Sequence, residues 1–159
     1  MHQKKRAFLF DRMLGKLCTK MRMLGYDAML NPEGESGRFF LNASDAGRTA
    51  VTRARSTKDR PGQIPVILRA EDVTEQIVEL FAATGEAPLF EPFSRCLECN
   101  GLLVEETEEA VRGHVPPFVE KNFHRFHRCT GCGRISWEGS HFQAMSDEVK
   151  ALEARLKKG

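Results

Sequence analysis

The chain has no run approaching the roughly 20 consecutive apolar residues of a membrane-spanning helix, so the sequence offers no candidate span. It also lacks the marks of a secretory leader. The start, Met1-His2-Gln3-Lys4-Lys5-Arg6, is basic, but only Ala7–Phe10 follows as an apolar run before Asp11 and Arg12. A signal peptide needs about 7–15 apolar residues and a small-residue cleavage site. The expectation is a cytoplasmic protein with no membrane partner. There is no internal repeat and no low-complexity tract. An even set of cysteines is missing too: there are five, an odd number. In a reducing compartment, paired CxxC motifs point to metal rather than to disulfides, and Cys18 is left over.

What is present fits a globular protein. Hydrophobic residues make up 41% of the 159, enough for a core, and charged residues 29%. This length allows one domain of ordinary size, or a domain of about 90 residues and a small module that needs a staple. Residues 1–90 carry 14 Lys/Arg against 11 Asp/Glu, a net of +3, and residues 91–159 carry 10 against 11, a net of −1. The asymmetry leans toward nucleic-acid binding by the first part without requiring it.

Ala7–Phe10 reads as a buried strand, and Arg12–Leu24 as a helix with Leu14, Leu17, Cys18, Met21 and Leu24 on one apolar stripe. Arg12, Lys16 and Lys20 recur on another face, and Gly25 closes the helix. Further strands are expected at Tyr26–Leu30, Thr49–Thr52 and Ile64–Leu68, and helices at Arg38–Ala46 and Val73–Ala82. Strands alternating with helices argue for an α/β fold with a parallel sheet flanked by helices. Such sheets bind ligands beyond the carboxyl ends of their strands, where Asp11 and Thr52-Arg53 fall. The expected division is residues 1–90 for this unit, 91–145 for a ribbon, and a polar helical tail over 146–159.

Cys96-Leu97-Glu98-Cys99 and Cys129-Thr130-Gly131-Cys132 are two knuckles. Two residues between cysteines let a tight turn aim both thiolates at one ion. Two such turns supply the tetrahedral four-thiolate shell of a structural zinc, closed and therefore not catalytic. Asn100-Gly101, Gly131 and Gly133 are expected to supply positive φ angles. The 29 residues between the knuckles leave room for a hairpin extension over Val104–Val119. His124, His127 and His141 lie nearby, but four cysteines already fill the shell. Trp137 is expected to pack on the ribbon, with base stacking as the alternative.

Phe10-Asp11-Arg12-Met13-Leu14-Gly15-Lys16-Leu17 and Met21-Arg22-Met23-Leu24-Gly25-Tyr26-Asp27 resemble the opening of the Mut-seven C-terminal RNase family, PIN-like domains followed by a zinc ribbon. Arg95–Asn100 and Cys129–His141 resemble its ribbon. Gly47-Arg48 with Val51-Thr52-Arg53, and Glu75-Gln76, resemble its less specific middle motifs. The resemblance implies metal-dependent ribonuclease chemistry, in which carboxylates gather Mg²⁺ or Mn²⁺ and the ion activates water. It makes Asp11 and Asp27 candidate catalytic acids; Asp11 also suits a helix cap, and Asp27 a structural strand-edge role. The family's third-strand motif reads Thr-Arg-Asp, where this chain has Thr52-Arg53-Ala54. The acid expected to open the helix before that strand is gone or displaced: Ser36-Gly37-Arg38 stands there, with Glu33 and Glu35 upstream. Glu35 is the candidate replacement, and Asp45 or Asp59 the alternatives. Arg12, Lys16, Lys20 and Arg53 are candidate RNA contacts, with Arg22 on the same basic helix.

Three functions remain open. The first is an RNA-cleaving metalloenzyme. The second is an RNA-binding or ribosome-associated module that has kept the fold and lost turnover. The third is a protein–protein adaptor built on the ribbon and the charged tail.

Overall fold

The computed structural model describes residues 4–31, 38–54 and 64–158. Strands β1 (Phe8–Phe10), β2 (Ala28–Leu30), β3 (Thr49–Thr52) and β4 (Val66–Ile67) form a parallel sheet in the order β2-β1-β3-β4. Its centre is covered on both faces, which is why β1 and β3 read as unbroken apolar or neutral runs rather than alternating ones. Leu9 and Ala50 pack with Phe39, Phe40 and Ala43 of helix α2 (Arg38–Asp45). Phe8, Phe10 and Val51 belong to the main core with helices α1 (Gly15–Met23) and α3 (Val73–Thr84). The chain steps outward from β1 to β2 and back across to β3. Right-handed crossovers in opposite directions put their helices on opposite faces. The reversal lies between β1 and β3, so a crevice opens at their carboxyl ends.

The expected α/β sheet is present, with narrower elements. Residues Arg12–Leu14 form a 3₁₀ turn capped by Asp11, and α1 proper begins at Gly15. Tyr26 precedes β2 rather than starting it; its ring is fully buried and its hydroxyl donates to the Ala87 carbonyl at 3.1 Å. Strand β4 spans only Val66–Ile67, with the Leu68 N–H extending the ladder to the Thr52 carbonyl at 2.8 Å, and Pro65 before it has no N–H to donate. Cys18 is a buried core thiol.

Two expectations about the C-terminal part are corrected. The helix expected from Ser146 runs from Ser140 to Lys157 (α6). It is no solvated tail, because Val149 and Leu152 are buried in the main core, with Met145 and Leu156 packed beside them. Their spacing is one sparse helical stripe, easily lost among polar neighbours. The hairpin extension is also absent. Strand β5 (Leu103–Glu106) ends early, and helices α4 (Glu108–Val111) and α5 (Pro117–Asn122) lead to β6 (Phe126–Cys129) and β7 (Ile135–Trp137). Thr107 caps α4 through the Ala110 N–H at 3.1 Å, and Pro117 opens α5, the position where a missing N–H costs nothing. The antiparallel sheet β5-β6-β7 has its own small core of Val111, Val119 and Phe126.

The ribbon is fastened to the outer edge of β2. The Ala28 N–H donates to Asn100 Oδ1 at 3.0 Å, and the Ala28 carbonyl accepts from Arg22 Nε at 2.8 Å. Arg22 also donates to the Leu97 carbonyl at 2.9 Å, inside the first knuckle. Asp27 Oδ1 accepts from Asn100 Nδ2 and Arg48 Nη1, both at 2.7 Å. The connecting strap lies on the end of α1: the Glu91 N–H donates to Leu24 and the Phe93 N–H to Met23. Gly25 has φ +91°, and a Cβ there would sit 2.3 Å from the Glu91 carbonyl oxygen, so glycine is required on both counts.

This clamp has a pH signature. Burial raises the Asp27 carboxyl, but the Arg48 and Asn100 hydrogen bonds and the Arg48 charge outweigh it and hold the group below the usual carboxylate range. A lowered native value means that the contribution is full above the unfolded aspartate range, about 4, and is lost as pH falls through the native value. Asp27→Asn is therefore expected to lower the melting temperature near pH 7, with the difference from wild type shrinking below about pH 4. Equal differences at pH 7 and pH 3 would show that the carboxylate charge plays no part.

Candidate functional site

Asp11 ends β1 at the crevice. Its N–H continues the ladder to the Val51 carbonyl at 3.0 Å. One carboxylate oxygen accepts the Met13 N–H at 3.0 Å, and the other accepts the Thr52 hydroxyl at 2.8 Å. These bonds leave the residue only 2% exposed. The Thr52 hydroxyl in turn accepts the Ala54 N–H at 3.0 Å, so Ala54 stands two hydrogen bonds from Asp11. Beside them is a cleft of about 530 Å³ lined by Gly15, Lys16, Arg53, Glu71, Asp72 and Gln76, among others. Asp72 caps α3 through the Glu75 N–H, and Gln76 is buried with its amide donating to the Ala70 carbonyl. Arg53 Nη2 lies 3.9 Å from exposed Glu71.

Two of the other candidate acids, Asp27 and Asp45, do not join Asp11. Asp27 precedes β2 and so lies at the amino pole of the parallel sheet, while Asp11 follows β1 at the carboxyl pole. Asp45 is the last residue of α2, which has run back to the amino pole. Glu35, with Glu33 and Asp59, lies outside the described residues. Among the cations, Lys16 and Arg53 border the same cleft, and Arg12 is exposed close by. Lys20 pairs with Glu148 of α6 at 2.7 Å, and Arg22 is buried in the clamp. Sequence reasoning missed Thr52 as the partner of Asp11, although it stands at the end of the right strand. It also missed Asn100 and Arg48 as the partners of Asp27.

The four cysteines converge. All their Sγ atoms lie within 4.8 Å of one another, with Cys96–Cys132 at 3.8 Å and Cys99–Cys129 at 3.3 Å. A zinc tetrahedron with Zn–S near 2.3 Å has sulfur–sulfur edges of about 3.8 Å, so the donor set fits a metal ion such as zinc. The Gly101 N–H points at Cys99 Sγ, and those of Gly131 and Cys132 at Cys129 Sγ. Burial pushes the Cys129 thiol up, but the Cys132 N–H, the Cys99 thiol and the Gly131 N–H outweigh it and bring it down to about 6. Asn100 and Gly133 have the expected positive φ angles, whereas Gly101 and Gly131 do not. Those two glycines supply room instead. A Cβ on Gly101 would lie 2.7 Å from Cys129 Sγ, and one on Gly131 3.2 Å from Cys99 Sγ.

The family model described as the Mut7-C RNAse domain matches residues 6–149. The chain belongs to the Mut7-C RNase family. No curated protein and no solved structure matches it. Membership carries an RNase-like function in general and an interaction with RNA. Among the described residues, no helix is long and apolar enough to cross a membrane.

The two metal chemistries expected of a Mut7-C protein fare differently. The cysteines fit a thiophilic ion. A hard Mg²⁺ or Mn²⁺ ion needs several converging oxygen ligands. Among the described residues, the only group of three or more candidate ligands is the cysteine set. Asp11, buried beside the cleft, accepts the Thr52 hydroxyl. The described residues do not by themselves fit a hard-metal site. Gly101→Ala is expected to weaken binding of Zn²⁺, or of Co²⁺ read by its thiolate charge-transfer band, by at least about tenfold, because the added methyl displaces a ligand sulfur. Unchanged affinity would mean that the sulfurs relax around the methyl.

Proposed function

We propose that this Mut7-C protein binds RNA along the crevice at the carboxyl ends of β1 and β3, with little or no turnover, and that a structural zinc ion on Cys96, Cys99, Cys129 and Cys132 staples its ribbon. The observation that carries the reading is the cleft bordered by Lys16 and Arg53, with Ala54 at the end of β3 two hydrogen bonds from Asp11, where the family motif has a carboxylate. Removing one anionic ligand weakens such a site, and an alanine cannot substitute even through water.

Lys16 and Arg53 border the cleft and take phosphates, with Arg12 beside them. Lys20 is held by Glu148 and contributes less. Phosphate contacts position a nucleic acid without reading its sequence. A tRNA, rRNA or mRNA, free or on the ribosome, presents the same backbone to these cations. A reducing compartment such as the cytoplasm suits four ligating thiols.

Metal analysis is expected to give about one zinc per chain, lost in Cys129→Ser together with protection of the ribbon from proteolysis. Full occupancy in that variant would sink the assignment. For the cleft, Lys16→Glu with Arg53→Glu is expected to weaken RNA binding and to lower the salt slope by roughly 0.7 for each phosphate of a single strand that is no longer neutralised. In a Mn²⁺ nuclease assay, wild type is expected to show little cleavage, and Ala54→Asp to raise Mn²⁺ affinity and restore some. Robust cleavage by the unmodified chain that disappears in Asp11→Ala would show that other acids, Glu35 first among them, complete the site.

A further inference from the structure

A second concave site lies between the ribbon and α6, away from the cleft. It is a pocket of about 210 Å³ whose apolar walls include Phe93, Leu97, Trp137 and Phe142. Phe93 and Phe142 lie with ring centroids 4.5 Å apart and planes 40° from parallel. Phe93 has φ +62°. Such a backbone is strained for a bulky residue, and strain of this kind persists where the surroundings over-determine it, often at ligand sites. Arg95, His127, Arg134 and Ser136 also line the pocket. Among the described residues, the side chains of His127, Arg134 and Ser136 have no hydrogen-bond or ion-pair partner. Of the two acids at the rim, Glu138 is engaged by Arg125 at 3.7 Å.

We propose that this pocket binds one base of a single-stranded RNA, a step that rests on the reading of the protein as RNA-binding. A cavity of about 150 Å³ accepts a benzene ring. The present volume therefore suits one flat heterocycle and is too small for a helix or strand. Unpaired bases stack on aromatic side chains and present donors and acceptors at their edges, while arginines hold the flanking phosphates. Trp137 and the Phe93–Phe142 pair supply the faces, Ser136 and His127 the edge contacts, and Arg134 and Arg95 the charge. An apolar protein side chain would fill the walls but leave these polar groups desolvated and unpaired, which is unfavourable. Pocket and cleft are joined by α1: Lys16 borders the cleft, and Arg22 binds the Leu97 carbonyl at the pocket wall.

Trp137 is the only tryptophan, so its fluorescence reports on this pocket alone. The full chain is titrated with A6 and U6 RNA and with an abasic hexamer of equal charge, and total binding is followed in parallel by anisotropy of a labelled hexamer. Saturable quenching by the base-bearing hexamers and none by the abasic one is expected. Affinity should fall about five- to tenfold in Phe142→Leu. Should Phe142→Leu fail to fold, exposed Arg134→Ala carries the same expectation. RNA binding by anisotropy with no quenching would overturn the pocket and leave the cleft reading standing. No binding by either readout would overturn both. Quenching by an apolar peptide but not by RNA would make the pocket a protein site and overturn the proposal.

Discussion

The outer edge of β2 is closed by side chains rather than by another strand, and the arrangement of the molecule depends on that closure. An edge strand offers unpaired peptide groups that must be satisfied or covered. At Ala28 the N–H is taken by Asn100 and the carbonyl by Arg22. Arg22 lies on α1 and Asn100 follows the first CxxC knuckle, so one residue, Ala28, joins helix, sheet and ribbon. Burying the Arg22 guanidinium is costly by itself. Its bonds to the Ala28 and Leu97 carbonyls, and the Asp27 carboxylate bonded to neighbouring Asn100, offset that cost. These polar groups close the outer edge of β2 and its amino end, whereas the cleft beside Lys16 and Arg53 lies at the carboxyl pole.

That polarity explains why two acids from similar motif contexts differ so much. In a parallel sheet, every residue just after a strand lies at one pole and every residue just before a strand at the other. Asp11 follows β1, and Asp27 precedes β2. The first meets Thr52 at the mouth of a cleft; the second meets Arg48, which precedes β3 at the same pole. Among the cations of α1 the helical period sets Arg22 apart from Lys16 and Lys20, which share a face. Lys16 borders the cleft, Lys20 turns to Glu148 of α6, and Arg22 goes inward.

Much of this is legible in the sequence alone. The apolar runs and the stripe of Leu17, Cys18 and Met21 point to the parallel sheet with its helices, and two CxxC turns point to the sulfur cluster, because both signals are local. A strand expected from Tyr26 puts Asp27 inside it, and the motif around Asp27 suggests chemistry, so its place ahead of β2 is seen only in the structure. What stays hidden depends on contacts distant in sequence. The stripe of Met145, Val149, Leu152 and Leu156 has meaning only once α3 is there to receive it. The helices between the knuckles begin at Thr107 and Pro117, signals that compete with a strand reading of Val104 and its neighbours. Gly101 and Gly131 carry no backbone signature, because their role is space for sulfurs held about 30 residues apart.

The same contacts tie metal binding to the integrity of the sheet. Asn100 follows Cys99 directly, and its φ of +72° belongs to the turn that aims the thiol. Its amide can meet Ala28 and Asp27 together only while that turn is held. A ribbon without metal packs four thiols or thiolates within 4.8 Å of one another around three buried apolar residues, too little core to keep the turn fixed. If Asn100 swings away, the Ala28 N–H is left buried without a partner, at a cost of about 1–3 kcal/mol. Binding free energy at the cysteines is therefore also free energy of closing β2. Linkage is reciprocal, so whatever stabilises the clamp must tighten the metal site in equal measure. Asp27 lies at one end of this coupling and Cys99 at the other, with the Asn100 amide between them.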